Sequence, residues 1–299
     1  MKTNWSGVYT ALITPFQQGR IDFDSFAKLL HQQEHEQKVS GFVINGTTAE
    51  SPTLSKEEVH ELFTFARNHT KLPLIVGSGS NSTAATVLAT KRAEEWGADA
   101  CLVVVPYYNK PPQRGLLKHF TTVAESTRLP VILYNVPGRT ITSLEPATVA
   151  ELSQVKNIVG IKEATGNIEL LKKMKSAARA DFQFLSGDDG TYAEFLGHGG
   201  VGVISVTSHF MGRQMQDWTD WSRLGKNASA VSDSARYKKL IDLTFCEANP
   251  IPVKKAMQML GVIESAECRL PLVEMDPELV QVYRQELIHT GILAAGSPT

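Results

Sequence analysis

Eight short runs of aliphatic residues punctuate the chain, at 8–14, 41–45, 73–77, 100–105, 130–135, 157–162, 182–186 and 200–206. Their starts lie roughly 20 to 33 residues apart. Between most of them the apolar positions change to i, i+3, i+4 spacing behind a helix start. Ser55 with Glu58 forms a capping box ahead of Val59, Leu62, Phe63 and Ala66, and Ser143-Leu-Glu-Pro is expected to open a later helix in the same way. The strand runs are apolar on both faces, which suits a parallel sheet covered by helices. Eight βα units within about 225 residues predict an α/β fold of the (β/α)8 TIM-barrel type. A doubly wound open sheet is the competing architecture, but Thr14-Pro15-Phe16 follows the first strand where that fold has a glycine-rich turn. Beyond Gly225 the segment LGKNASAVSDSA has no strand run, and helices are expected over 235–246, 253–260 and 277–290. The reading is therefore a catalytic barrel over 1–224 with a helical domain over 225–299.

Composition narrows the function. With 299 residues, 42% of them hydrophobic, the chain can bury a substantial core. Thirty basic residues against 31 acidic ones, spread without blocks, give no footprint for nucleic acid or for an anionic membrane surface. The expected partner is a small molecule. No run approaches the ~20 apolar residues that span a bilayer, and the first 16 residues lack the apolar core of a secretory signal. Cys101, Cys246 and Cys268 form no C-x-x-C and leave one thiol unpaired in any disulfide scheme, so a reducing, cytoplasmic setting is expected.

Barrel enzymes carry their reactive groups at the C-terminal ends of strands. Those exits are polar here: Gly46-Thr47-Thr48-Ala49-Glu50-Ser51, Pro106-Tyr107-Tyr108-Asn109, Tyr134 to Thr140, Lys162 to Thr165, and Gly187-Asp188-Asp189. Lys162, closing an aliphatic strand, reads either as a rim ion pair with Glu163 or as a Schiff-base amine. A free amine is almost wholly protonated at pH 7, whereas desolvation disfavours the charged form and releases a nucleophile. Tyr134, one strand earlier, suits a proton shuttle, because a phenol brings no second permanent charge. Thr47 and Thr48 offer hydroxyl and amide donors for a small carboxylate, and Arg139 offers a planar fork for a second one. His31 and His35 match the H-x-x-E-H pattern of a zinc peptidase helix, but a solvated helix face is the better account. Gly77-Ser78-Gly79-Ser80 reads as a tight βα turn in preference to a phosphate cradle.

The strings GTTAES, PYYNKP, LYNVPGRT, GIKEATG, LSGDD and GVISVTS, with ANPIPVK and RLP in the tail, resemble the dihydrodipicolinate synthase family. These are pyruvate-dependent lyases of the class I aldolase type, within the N-acetylneuraminate lyase superfamily. The resemblance implies condensation of pyruvate with L-aspartate 4-semialdehyde to 4-hydroxy-tetrahydrodipicolinate, the first committed step of diaminopimelate and lysine biosynthesis. It implies Lys162 as the imine-forming lysine, with no metal or organic cofactor. It also implies a proton relay of Tyr134, Thr47 and Tyr107 or Tyr108, of which Tyr108 is assigned by position and is lent across a dimer contact. Thr48 is then a contact for the pyruvate carboxylate, Gly187 and Ile204 are pocket wall, and Arg139 clamps the semialdehyde carboxylate. The family implies a homotetramer built as a dimer of dimers. Arg139 favours this activity over the sugar-acid aldolases of the superfamily, which remain the alternative.

Two departures from the family pattern stand out. Ala49 replaces a common glycine, and strain is expected if that position needs positive φ. At the positions matching the family's lysine-inhibition cleft stand Lys56, Val59 and Ala85, with Ser51, Asn81 and Tyr107 retained. The acid that would pair with the ligand's ammonium is missing, so the expectation is weak or absent inhibition by L-lysine.

Overall fold

The aliphatic runs fold as strands because their side chains are buried on both faces. In the computed structural model, which describes residues 4–296, eight strands close into a barrel. They are β1 (Gly7–Ala11), β2 (Gly41–Ile44), β3 (Leu74–Gly77), β4 (Ala100–Val104), β5 (Val131–Asn135), β6 (Ile158–Glu163), β7 (Gln183–Ser186) and β8 (Gly202–Ser205). Phe42, Val43, Ile75, Cys101, Ile132, Leu133, Ile161 and Val203 on these strands are fully buried. The expected TIM barrel is the observed fold.

A barrel helix follows each strand, preceded after β5 by a short helix over Pro137–Thr140: α1 (Phe23–His35), α2 (Lys56–His69), α3 (Thr83–Trp96), α4 (Gln113–Glu125), α5 (Pro146–Ser153), α6 (Ile168–Ala177), α7 (Tyr192–Gly197) and α8 (Ser208–Arg223). The capping box on α2 is present in full, with the Ser55 hydroxyl accepting from the Glu58 N–H and the Glu58 carboxylate accepting from the Ser55 N–H. The expected counterpart before α5 is absent. There Glu145 is the cap residue without a side-chain bond, and the Ser143 hydroxyl instead donates to Asn135 Oδ1 at 3.3 Å. The expected proline does stand in the first turn of α5.

Past the barrel helices come α9 (Asn227–Ser234), a 3-10 turn over Ala235–Tyr237, α10 (Lys238–Thr244), α11 (Ile251–Met259) and α12 (Pro277–His289). The sequence reading missed α9, whose small, polar residues carry no apolar stripe. Tertiary bonds to α8 stabilise it: Trp218 Nε1 donates to Asp233 at 2.8 Å, and the Ser222 hydroxyl donates to Asn227 Oδ1 at 2.6 Å. No helix among the described residues is long and apolar enough to cross a membrane.

The chain divides into two compact units, one of residues up to Gly7 with Pro73–Ile204, the other of Val8–Leu72 with residues from Ser205 on. In the first, consecutive strands pair in parallel, with Tyr134 opposite Lys162 and Lys162 opposite Leu185. In the second, β1 pairs in parallel with β2 and α9 packs on α8. His209 of α8 is fully buried, and burial pushes its imidazole down to about 4, so the ring is neutral near pH 7. Its Nδ1 lies 2.7 Å from the Val206 carbonyl, to which it donates, while Nε2 accepts from the Ile13 N–H at 3.2 Å, which fixes the exit of β1.

Candidate active site

In the first unit the end of β6 presents Lys162, whose side chain lies inside the barrel wall because alternate residues of a strand face inward. Lys162 is only 6% exposed and Tyr134 only 7%. The amine sits 4.3 Å from the centroid of the Tyr134 ring, close enough for the ring face to attract a cation. The ion pair with Glu163 weighed from the sequence does not form. Glu163 Oε1 accepts from Asn135 Nδ2 at 3.2 Å and from the Thr165 N–H at 3.1 Å, and Oε2 accepts from the Thr165 hydroxyl at 2.7 Å. Burial raises the Glu163 carboxyl above its ordinary range, against the pull of those bonds. Asn135 is itself fixed, since its Oδ1 accepts from the Leu144 N–H at 2.9 Å. The carboxylate nearest in sequence is thus held away from the amine.

Gly187, immediately after β7, abuts Lys162. A Cβ there would meet Lys162 Cε at 2.8 Å, Lys162 Cγ at 2.9 Å and the Ala164 methyl at 2.7 Å, so the lysine lies against bare backbone. Ile204 on β8 is 1% exposed. Arg139 stands on a short helix, Pro137–Thr140, whose start is set by the proline, and its side chain is exposed with no acidic partner among the described residues. Tyr108 is 86% exposed and takes φ +74°, a left-handed conformation rare for a bulky residue. Its phenol therefore points into solvent. Tyr107 beside it is also exposed.

Thr47 and Thr48 belong to the second unit, on the 3-10 turn Thr47–Ala49 after β2. Thr48 is buried, and its hydroxyl oxygen accepts from Asn249 Nδ2 at 2.9 Å. Ala49 does not have positive φ. The left-handed residue is Glu50, at φ 59° and ψ 40°, so the expected strain at Ala49 is absent and the alanine fits its right-handed turn. Its carbonyl accepts from the Thr14 hydroxyl at 2.9 Å.

Of the other sequence candidates, His31 and His35 lie 4.4 Å apart between ring centroids, tilted by 56°, on the exposed face of α1. No group of three His, Cys, Asp or Glu among the described residues is placed to hold a metal ion. Gly79 packs against the backbone of Val103 and Val104, as a tight βα turn requires. Lys56 and Ala85 are exposed near the starts of α2 and α3, and Val59 is buried on α2.

Sequence reasoning missed Asn249, Lys254 and Arg269, which bond the turn after β2 from the C-terminal segment. One signal was available for Lys254. Ile251, Lys254 and Met257 recur at three-residue spacing, which places the lysine on the buried stripe of α11. Asn249 lies in the ANPIPVK string that carries the resemblance, but no local pattern gives it a task.

Residues 4–289 match the profile of the dihydrodipicolinate synthetase family. A 4-hydroxy-tetrahydrodipicolinate synthase of Bdellovibrio bacteriovorus is 56% identical over 292 residues, covering 97% of this chain and 99% of the relative. Among solved structures, the dihydrodipicolinate synthase of Thermotoga maritima superposes with a TM-score of 0.93 at 39% identity, covering 96% of this chain and 99% of that one. The chloride-inhibited dihydrodipicolinate synthase of Acinetobacter baumannii, complexed with pyruvate, also gives 0.93, at 37% identity, with 97% and 100% covered.

Gly187→Ala is expected to push Lys162 out of place. Labelling of Lys162 by a small 2-oxo acid with borohydride should slow about tenfold or more, while circular dichroism stays native. An unchanged labelling rate would show that the bare backbone is not needed.

Proposed function

The chain belongs to the dihydrodipicolinate synthetase family, and we propose that its Lys162 carries out that family's reaction, joining pyruvate to L-aspartate 4-semialdehyde. The chain is a lyase of the class I aldolase type, forming 4-hydroxy-tetrahydrodipicolinate on the path to diaminopimelate and lysine. The observation that carries the residue assignment is a buried amine lying on a tyrosine ring, with the adjacent carboxylate engaged elsewhere.

Lys162 attacks the pyruvate carbonyl and water leaves, giving an imine. Loss of a methyl proton gives an enamine, whose carbon attacks the aldehyde carbon while the aldehyde oxygen takes up a proton. The substrate's own amine then displaces the lysine, closing a six-membered ring and freeing Lys162. The imine is the electron sink, so these steps call for no metal or organic cofactor. Tyr134 moves protons in imine formation, with Thr47 and Tyr108 completing the relay. Thr48 meets the pyruvate carboxylate, Gly187 and Ile204 wall the pocket, and Arg139, without an acidic partner among the described residues, clamps the second carboxylate. That free guanidinium is what favours the semialdehyde over a polyhydroxylated aldehyde.

The exposed, left-handed Tyr108 supports a trans role, in which a second copy of the chain receives the phenol. The assembly on this reading is a homotetramer built as a dimer of dimers. Residues 1–224 act as the catalytic barrel and 225–299 as an attached helical domain, a division supported by α8 ending at Arg223.

Borohydride reduction with pyruvate should add one three-carbon unit to Lys162, located by peptide mass mapping, and Lys162→Ala should abolish it. Label on another residue, or none, would overturn the assignment. Tyr108→Phe should lower kcat by about a hundredfold with unchanged sedimentation, and an unaltered rate would remove Tyr108 from the relay. L-Lysine at millimolar concentration should leave turnover nearly unchanged in a coupled assay, because Lys56, Val59 and Ala85 supply no acid for its ammonium. Strong suppression would contradict this.

A further inference from the structure

The reaction steps leave the buried ions of the second unit without a task. Glu50 directly follows the Thr47–Ala49 turn, in a left-handed conformation that persists only where the surroundings hold it. Its carboxylate is held through both oxygens: Lys254 Nζ donates to Oε1, and the Arg269 N–H donates to Oε2 at 2.8 Å. The Lys254 and Glu50 side chains are 0% and 1% exposed. Lys254 also donates to the Glu267 carbonyl at 2.7 Å and lies 4.3 Å from the centroid of Phe16. The Arg269 guanidinium lies equally close to Phe16, bonds both Glu58 oxygens at 2.5 and 2.9 Å, and donates to the Thr53 carbonyl at 2.9 Å. Thr53 returns its N–H and hydroxyl to the Glu50 carbonyl at 2.9 and 3.0 Å.

Two charges removed from water are no more stabilising than a well-packed apolar pair of the same size. What the ion pair adds is direction, because a carboxylate bound through both oxygens cannot slide along its partners as methyl groups can. The fixed element is the turn carrying Thr48. Asn249, two residues before α11, donates to the Thr48 oxygen, and the Thr48 hydroxyl proton has no protein acceptor among the described residues. That proton is free for a ligand.

We propose that the buried Glu50–Lys254 pair and Asn249 are positioning residues, by which the C-terminal segment fixes the Thr47–Ala49 turn and directs the Thr48 hydroxyl proton to the carboxylate of pyruvate. This rests on the assignment of Thr48 to that carboxylate. The device sets affinity for the first substrate without touching the lysine that reacts.

The test uses the full chain. Glu50→Gln with Lys254→Met removes both charges together, so neither is left buried alone. The double variant should unfold cooperatively, with a pyruvate KM raised about tenfold to a hundredfold and kcat at saturating pyruvate within a few-fold of wild type. Asn249→Ala, which keeps the ion pair, should raise the pyruvate KM in the same way, and it decides the matter if the double variant does not fold. A folded variant with an unchanged pyruvate KM overturns the proposal. So does a fall in kcat at unchanged KM, which loss of folded protein alone would produce. Pyruvate trapping at Lys162 of the wild-type chain is measured alongside. Its failure refutes the reading of the site itself, whereas normal wild-type trapping beside an unchanged KM in the variants refutes only the positioning role.

Discussion

An amine proposed as a nucleophile cannot be tied up by a carboxylate, and the geometry around Lys162 in the first unit is consistent with that requirement. Lys162 lies buried near the end of β6 with an aromatic ring as its contact, and it forms no ion pair among the described residues. The nearest acid in sequence, Glu163, is turned aside and occupied by Asn135 and Thr165. Asn135 is in turn locked by the loop containing Ser143 and Leu144. A chain of ordinary hydrogen bonds therefore keeps the lysine free, and Gly187 leaves the space along its methylene stem. Each of these bonds fixes a side chain that in turn fixes the next, so the arrangement is a rigid one.

The second unit solves a different problem, that of holding a short turn still. A 3-10 turn of three residues has little stability of its own. The turn after β2 draws on bonds from Thr14, Asn249 and, through Glu50, from Lys254 and Arg269. The Arg269 guanidinium holds the Glu58 carboxyl below its ordinary range, so this end of the network stays ionised at neutral pH. Because Glu58 also caps α2, the same guanidinium links the helix start to the turn. The C-terminal segment thus contributes to a strand exit more than 200 residues upstream.

Tyr108 shows a third use of constraint. A left-handed backbone and an 86% exposed phenol are both unfavourable for a tyrosine in an isolated chain. The exposure is consistent with a side chain whose partner is another copy of the protein.

The sequence by itself determined the architecture, because hydrophobic periodicity is a local property that survives without coordinates. Eight aliphatic runs at βα spacing led to eight barrel strands, and Ser55 with Glu58 led to a capping box. The placing of Lys162 beside Tyr134 was legible for the same reason, since a strand's last inward residue can be counted from its run. Tertiary structure alone decided the rest. The Ser143 oxygen, which a cap would use as acceptor, instead accepts from Asn135 Nδ2 at 3.2 Å, and α9 formed from residues of weak intrinsic preference because α8 supplied partners. Ala49 is bonded from Thr14, 35 positions away, and what held Thr48 and the left-handed Glu50 were contacts with residues about 200 positions away. Pairings of that separation arise only when the chain has closed on itself, and no local pattern encodes them.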